Sequence, residues 1–132
     1  MGNMHEGIMP LMVRSHAVQG VQVLSCSGRF VLGPELEVFE HKSQQALRKS
    51  SQLVVDLSGV RLLDDHGIGA LTGLLVRTRR DGGDVRLVMR PDNNVVSRVL
   101  RLTRMVDVFR VFSNDMDAVG SYVEMFTRAI AV

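Results

Sequence analysis

One stretch near the middle of the chain, residues 53–69, constrains the fold more than any other. It begins with a short apolar, β-branched run at residues 53–57, of the kind that forms a strand buried on both faces. A Ser-Gly pair follows, and we expect this pair to end the strand. After a second apolar run at residues 60–63 comes the sequence Asp-Asp-His-Gly, and then an amphipathic run from Ile68 to about Arg80. This order predicts a buried strand, an acidic turn and a helix.

The acidic turn predicts a surface tip where backbone N–H groups are free at the positive end of a helix. Asp64 or Asp65 is suited to cap that helix, because a short carboxylate accepts a hydrogen bond from such N–H groups. Gly67 and Gly69 allow a tight turn and the close approach of another surface. We therefore place the candidate functional site at this tip.

Strands and helices alternate along the rest of the chain. Predicted strands lie at residues 11–17, 21–25, 85–89 and 108–112, and predicted helices begin near residues 34, 67, 91 and 115. Together with the central strand, the order β-β-α-β-α-β-α-β-α predicts one α/β domain over residues 11–132. Its sheet is mixed and mostly parallel, with about five strands packed with about four helices. Residues 1–10 lack periodicity, and we expect them to form a flexible N-terminal tail.

Composition narrows the function classes. The 132 residues are 45% hydrophobic and 23% charged, which is ordinary for a globular domain. No apolar run approaches the roughly 20 residues needed to span a bilayer, the first ten residues lack a signal-peptide pattern, and Cys26 is the single cysteine. These features predict a cytoplasmic protein without membrane insertion. A formal charge of +2, no Trp and one Tyr argue against direct nucleic-acid binding.

The sequence of the central stretch resembles that of the STAS domain family, whose free-standing members include bacterial anti-sigma factor antagonists. The resemblance rests on Val-Val-Asp-Leu-Ser-Gly-Val, Leu-Leu-Asp-Asp-His-Gly-Ile-Gly and a helix ending in Arg-Arg-Asp-Gly-Gly, and it extends over nearly the whole chain from Leu11. In that family the tip usually reads Asp-Ser-Ser-Gly-Leu-Gly, and the serine before the first glycine is phosphorylated by a kinase that is also the anti-sigma factor. Here Asp64 matches the leading Asp, Asp65 replaces the first serine, and His66 replaces the phosphorylated one.

The resemblance implies a protein–protein interaction module that binds an ATP-binding, serine-kinase-type anti-sigma factor and so frees a sigma factor. Its implied partner-binding residues are Asp64, Asp65, His66, Gly67, Gly69 and Thr72. His66 has no hydroxyl group, so the phosphorylation switch is expected to be absent. Constitutive binding, partial imitation of a phosphate by Asp65 and pH sensing by His66 remain open at this point, as does a homodimer.

Other kinds of chemistry are less well supported. Asp64, Asp65 and His66 could form a carboxylate–imidazole pair, but adjacent side chains in a turn usually point apart and no activated nucleophile is recognisable, so we expect no catalysis. The four histidines are scattered without metal-ligand spacing, and no nucleotide-binding loop is present, so we expect no metal or cofactor. Two alternatives stay open. One is a STAS subunit of another assembly, such as a signalling scaffold or a membrane transport complex. The other is a small-ligand or nucleotide-binding domain that uses the helix N-terminus as an anion site, although two carboxylates there would repel an anion.

A group of basic residues lies nearer the C-terminus. Arg98, Arg101 and Arg104 recur at three-residue spacing and should share one exposed helix face, either simply solvated or able to steer an acidic partner. Arg104 stands where the STAS family often has a glycine that ends this helix. We therefore expect a longer or differently capped helix here.

Overall fold

The structure, a computed structural model, describes residues 9–131 and the side chains of residues 9–123. Five strands form one sheet in chain order, with β1 antiparallel to β2 and the remaining pairs parallel. The elements are β1 (Met12–Val18), β2 (Val21–Phe30), α1 (Pro34–Lys49), β3 (Gln52–Leu63), α2 (Asp65–Arg80), β4 (Asp84–Val88), α3 (Asn94–Leu102), a 3₁₀ helix (Met105–Asp107), β5 (Arg110–Phe112) and α4 (Asp115–Ala131). The predicted single α/β domain, with a mixed and mostly parallel sheet of five strands and four helices, is confirmed.

The helices cover both faces of the sheet. One face carries the main core, where strand residues pack with α1, α2 and α3 through side chains that include Leu24, Phe30, Phe39, Leu53, Leu57, Leu71, Leu74, Val96 and Leu100. The other face carries a smaller cluster with α4, formed by Val21, Val23, Val54, Val88, Ala118, Val119 and Tyr122. Each of the helices α1 to α4 follows a strand of the parallel set, so these four helices begin at the carboxyl end of the sheet.

The two central strands are longer than the sequence predicted. β3 passes straight through Ser58 and Gly59, and β2 continues to Phe30, so the expectation that Ser58 ends the central strand is wrong. The Ser-Gly pair remains in the strand because β2 and β3 keep pairing across two register shifts. Gly59 lies so close to Ser27 that an added Cβ would come within 2.8 Å of the Ser27 Cβ. The glycine therefore permits close approach of two strands.

The extension carries β3 past the end of β4, whose pairing with β3 stops at Asp56. Asn93, in the loop before α3, supplies part of the missing edge contact. Its Nδ2 donates to the carbonyl of Val60 at 2.9 Å, and its Oδ1 accepts from the amide of Val96 at 3.2 Å. One side chain thus caps α3 and fixes that helix against the protruding strand that leads to the tip.

The structure also defines the turn between β1 and β2 and the start of the described chain. Gln19 and Gly20 both have positive φ, 51° and 80°, as expected for a tight two-residue turn between antiparallel strands. The predicted flexible tail falls mainly on residues 1–8, which lie outside the described part of the chain. Met9 is already tied to the domain, because its carbonyl accepts a hydrogen bond from the amide of Arg29 at 3.1 Å.

The end of α3 corrects a further expectation. Leu102, the last residue of this helix, is 76% exposed. The helix stops at Leu102, and Arg104 takes left-handed backbone angles, φ 60° and ψ 23°. The chain thus adopts the conformation that a glycine would favour, and neither a longer helix nor another cap replaces it.

Candidate docking site at the strand–helix tip

Asp64 holds the tip together. Its Oδ1 accepts a hydrogen bond from the amide of Gly67 at 2.9 Å, which makes Asp64, rather than Asp65, the cap of α2. Its Oδ2 accepts from the amide of Leu32 at 3.0 Å, and its own amide donates to the carbonyl of Phe30 at 3.4 Å. One carboxylate therefore ties the first turn of α2 to the loop between β2 and α1.

The same contacts set the charge of this group. Partial burial opposes ionisation of Asp64, but the amide donors of Leu32 and Gly67, followed by His66, outweigh burial and lower the pKa of the carboxyl group. Asp64 is therefore a fixed negative charge near neutral pH.

Asp65 and His66 form the outward part of the tip. The side chain of Asp65 is 91% exposed and that of His66 is 50% exposed. The His66 Nδ1 lies 3.1 Å from Asp65 Oδ1 and 3.6 Å from Asp64 Oδ2. The expectation that neighbouring side chains in this turn point apart is corrected here, because the helical start brings all three to one side. They present an exposed imidazole beside two carboxylates.

These three residues are also the place where the described chain could hold a metal ion, since one ligand atom from each lies within 4.8 Å of the others. Both oxygens of Asp64 already accept backbone amide hydrogen bonds. That leaves Asp65 and His66 as uncommitted ligands, whereas catalytic zinc sites use three protein ligands. The arrangement thus fits a polar contact surface better than a metal centre.

The two glycines of the tip have different roles. Gly67 is buried, and a Cβ on it would collide with the carbonyl of Phe30 and come within 2.7 Å of the Phe30 ring. Gly69 is exposed, and a Cβ there would meet no atom within 4 Å. Of the two positions predicted to admit a partner, Gly67 serves internal packing, and Gly69 is the one that faces solvent.

Thr72 lies one turn further along α2 and is partly buried. Its hydroxyl donates to the carbonyls of Ile68 and Gly69, each at 3.1 Å. The hydroxyl is therefore engaged within the helix, and the methyl group is the part of Thr72 left for contact.

Sequence reasoning did not single out several exposed neighbours of the tip. Val76 is 51% exposed and continues the outward face of α2 from His66 through Gly69 and Gly73. Leu32, 64% exposed, stands beside the tip because its amide is bonded to Asp64. The spacing on α2 could have revealed Val76. Leu32 is 32 residues away from Asp64, and no local pattern links the two.

A wide groove lies next to this surface, above the extended part of β3. Its volume is about 750 Å³, and its lining includes Ser58, Gly59, Arg61, Arg90 and Asn93. The groove exists because β3 outruns β4, which the sequence analysis did not foresee.

Known proteins share this architecture. The sequence matches the family described as "Mlab, STAS domain" over residues 14–111. A crystal structure of an anti-sigma factor antagonist from Mycobacterium paratuberculosis is 22% identical, with a TM-score of 0.72 over 84% of this chain and 92% of that chain. The anti-sigma factor antagonist SpoIIAA in its unphosphorylated form is 13% identical, with a TM-score of 0.72 over 86% and 97%. The phosphorylated form of the Bacillus cell fate determinant SpoIIAA is 11% identical, with a TM-score of 0.64 over 84% and 99%. No curated protein matches the chain significantly. At these identities the three solved structures establish a shared fold.

Proposed function

The chain belongs to the STAS domain family, and from that premise we propose that it is a protein–protein interaction module acting as an anti-sigma factor antagonist. Two proteins of the same fold carry that description. The partner is an ATP-binding anti-sigma factor of the serine-kinase type, and its capture in the cytoplasm frees a sigma factor for transcription.

The observation that carries this proposal is the preformed tip. Asp64 fixes the turn through two backbone amides, so Asp65 and His66 are presented without a loop that must first be ordered. Ordering flexible groups on association lowers affinity, and a rigid tip avoids that penalty. The exposed backbone at Gly69 lets a partner side chain lie directly against α2.

The proposed regulation follows from position 66. One protein of this fold has been solved in unphosphorylated and phosphorylated forms. The STAS resemblance aligns His66 with the phosphorylated serine, and an imidazole offers a serine kinase no hydroxyl. Binding is therefore constitutive and is set by the amount of each protein.

Catalysis is not part of the proposal. His66 lies beside two carboxylates, but the nearby hydroxyl of Thr72 is bonded to helix carbonyls and has no base next to it. An anion site at the tip is disfavoured too, because the amide of Gly67 already donates to Asp64. A thermal-shift screen with nucleotides tests that alternative, and stabilisation by one of them would support a ligand-binding role instead.

A second candidate is a STAS subunit of another assembly, such as a signalling scaffold or a membrane transport complex. The specific observation behind it is the family match, which bears the description "Mlab, STAS domain" and not that of an anti-sigma factor antagonist. Both candidates use the chain as a docking module. They differ in the partner.

The deciding experiment recovers the protein from extracts of its own cells, as wild type, as His66→Ser and as Gly69→Arg, with phosphate-sensitive mass spectrometry. We expect wild type and His66→Ser to recover an ATP-binding anti-sigma factor, and only His66→Ser to gain a phosphate. Gly69→Arg should lose the partner, because the arginine projects into open space at the contact surface without disturbing the fold. Gly120→Arg, the same substitution on α4, where an added Cβ also meets no atom within 4 Å, is the matched control. Recovery of a different assembly, with His66→Ser unmodified, would favour the second candidate.

A further inference from the structure

Charge is distributed unequally between the two ends of the molecule. The helices α1 to α4 begin at the carboxyl end of the strands. The first turns of α1, α2 and α4 carry acidic residues there: Glu35, Glu37, Asp65, Asp115 and Asp117. The last turns of α1, α2 and α3 lie at the opposite end and carry the bases Arg48, Lys49, Arg77, Arg79, Arg80 and Arg101. Such placement complements helix dipoles, and it also leaves the end remote from the tip strongly basic.

At the basic end, exposed arginines lie where α3 is followed by the 3₁₀ helix. We define the α3 surface by Arg98, Arg101, Leu102, Arg104, Val106 and Val108, all of them exposed. None of the three guanidinium groups has an acidic or hydrogen-bonding partner among the described side chains. Leu102 is 76% exposed, while Val106 and Val108 are 37% and 40% exposed. Leu102 lines one groove with Arg98 and Arg101, so an aliphatic side chain lies beside two of these cations.

Carboxylates offset little of this charge. Asp84 is paired with Arg79 and Arg86, so it is already neutralised. Asp81 and Asp107 are the other acids of this end among the described residues, and both are exposed to solvent.

Arg104 supplies an independent reason to assign a role to this surface. Its backbone is left-handed, φ 60°, a conformation that is unfavourable for a residue with a Cβ and free of strain for glycine. A strained residue kept at the surface points to a function for its side chain. At Arg104 that side chain contributes one more exposed cation.

We propose that the α3 surface docks on an anionic lipid bilayer. Each arginine near such a membrane adds to the attraction, and the aliphatic side chains enter the interface between the headgroups. The tip lies at the other end of α2, so it remains free for its protein partner while the domain is held at the membrane. This is peripheral binding. Among the described residues, no helix is long and apolar enough to cross a bilayer.

A bilayer fits this surface better than an acidic polypeptide does. The surface carries three cations without acidic partners among the described side chains, which suits a diffuse negative surface more than a single carboxylate held by two parallel bonds. Arg98, Arg101 and Leu102 line an open groove of about 360 Å³, where a lipid headgroup would contact both cations beside an exposed aliphatic side chain. Exposed apolar side chains among the cations gain energy in a membrane interface and little in a purely ionic contact.

The test is sedimentation of the purified full chain with phosphatidylcholine vesicles that contain a quarter phosphatidylglycerol, or none. We expect binding only with phosphatidylglycerol, declining as salt increases. Arg101→Glu/Arg104→Glu should weaken it by at least about 30-fold, because two attractive arginines are lost and two repelled carboxylates are gained. Arg14→Glu/Arg61→Glu changes the net charge equally at exposed positions away from this surface and should retain most of the binding.

Arg104→Gly separates a binding role from a structural one. It should raise the unfolding midpoint and at the same time weaken vesicle binding, a combination that a merely structural arginine would not produce. Absence of binding at low salt, or equal losses in the two double variants, would overturn the proposal. If the chain instead ignores the vesicles but binds labelled polyglutamate through Arg101 and Arg104, the surface receives an acidic polypeptide and the bilayer assignment is wrong.

Discussion

Replacing Asp64 with alanine should destabilise the domain more than any other single change at the tip. The substitution removes the cap of α2, worth about 1 kcal/mol, and the charge-assisted bond to Leu32, worth about 1.5 kcal/mol. Because the side chain is 34% exposed, water replaces part of what is lost. We therefore expect a decrease of about 2 kcal/mol in the free energy of unfolding.

Urea denaturation followed by circular dichroism measures this difference, with Asp65→Ala as the matched control. Asp65 is adjacent and equally charged, but it is 91% exposed and its ion pair is with the half-exposed His66, so its loss should change stability by less than about 0.5 kcal/mol. Asp64→Asn, which keeps one acceptor oxygen, should fall between wild type and Asp64→Ala. Equal effects of Asp64→Ala and Asp65→Ala would refute the claim that Asp64 organises the tip.

The pH dependence of the Asp64 effect has a definite sign. The folded-state pKa of Asp64 is lowered from 3.8, because the amide donors and His66 outweigh the opposing effect of burial. A lowered carboxyl pKa contributes stability above the unfolded-state value, and that contribution disappears as the pH falls through the folded-state value. The difference between wild type and Asp64→Ala should therefore be constant near neutral pH and shrink below about pH 4.

Three further changes test other parts of the structure. Gly67→Ala should destabilise by about 3 kcal/mol because its Cβ collides with Phe30, whereas Gly69→Ala should be neutral or stabilise by about 0.5 kcal/mol by thermal denaturation. Arg104→Gly should stabilise by about 1 kcal/mol in urea, because it relieves left-handed backbone strain, and a loss of stability would show that the arginine side chain supports the fold. Burial raises the pKa of Asp115 to about 6, together with the neighbouring carboxyl group of Asp56, to which it is hydrogen-bonded. The contribution of Asp115 to the free energy of unfolding therefore declines as the pH increases from about 4 to about 6. Asp115→Asn should remove that decline from the pH profile of the melting temperature, and an unchanged profile would refute it.

The order of elements could be predicted from the sequence because each depends on local signals. The gap between the first two predicted strands, the helix start near residue 34 and the acidic turn all depend on signals within a few residues. The structure has a turn at Gln19-Gly20, α1 beginning at Pro34 and α2 capped by Asp64 at these places. The length of β3 could not be predicted in the same way. Whether Gly59 breaks a strand or permits two strands to approach depends on Ser27, and that contact exists only after β2 and β3 pair.

The candidate site likewise combines features that local sequence signals predict with features that depend on tertiary contacts. The spacing of the acidic turn located the tip, but the choice between Asp64 and Asp65 as the cap required the position of Leu32, whose amide is bonded to Asp64 across 32 residues. The burial of Gly67 was likewise hidden, because it depends on packing against Phe30. The partner, the missing switch at His66 and the absence of catalysis remain predictions.

At the tip, the residues that maintain the local fold differ from the residues that are exposed to a partner. Asp64 and Gly67 are bound to Leu32 and Phe30, so changes to them alter the fold as well as any docking. The His66 side chain is half exposed, and its Nδ1 lies near the carboxylates of Asp65 and Asp64. We therefore expect His66→Ser to leave the fold unchanged. For that reason a difference between wild type and His66→Ser in partner capture or phosphorylation reports on recognition at the tip and not on an altered fold.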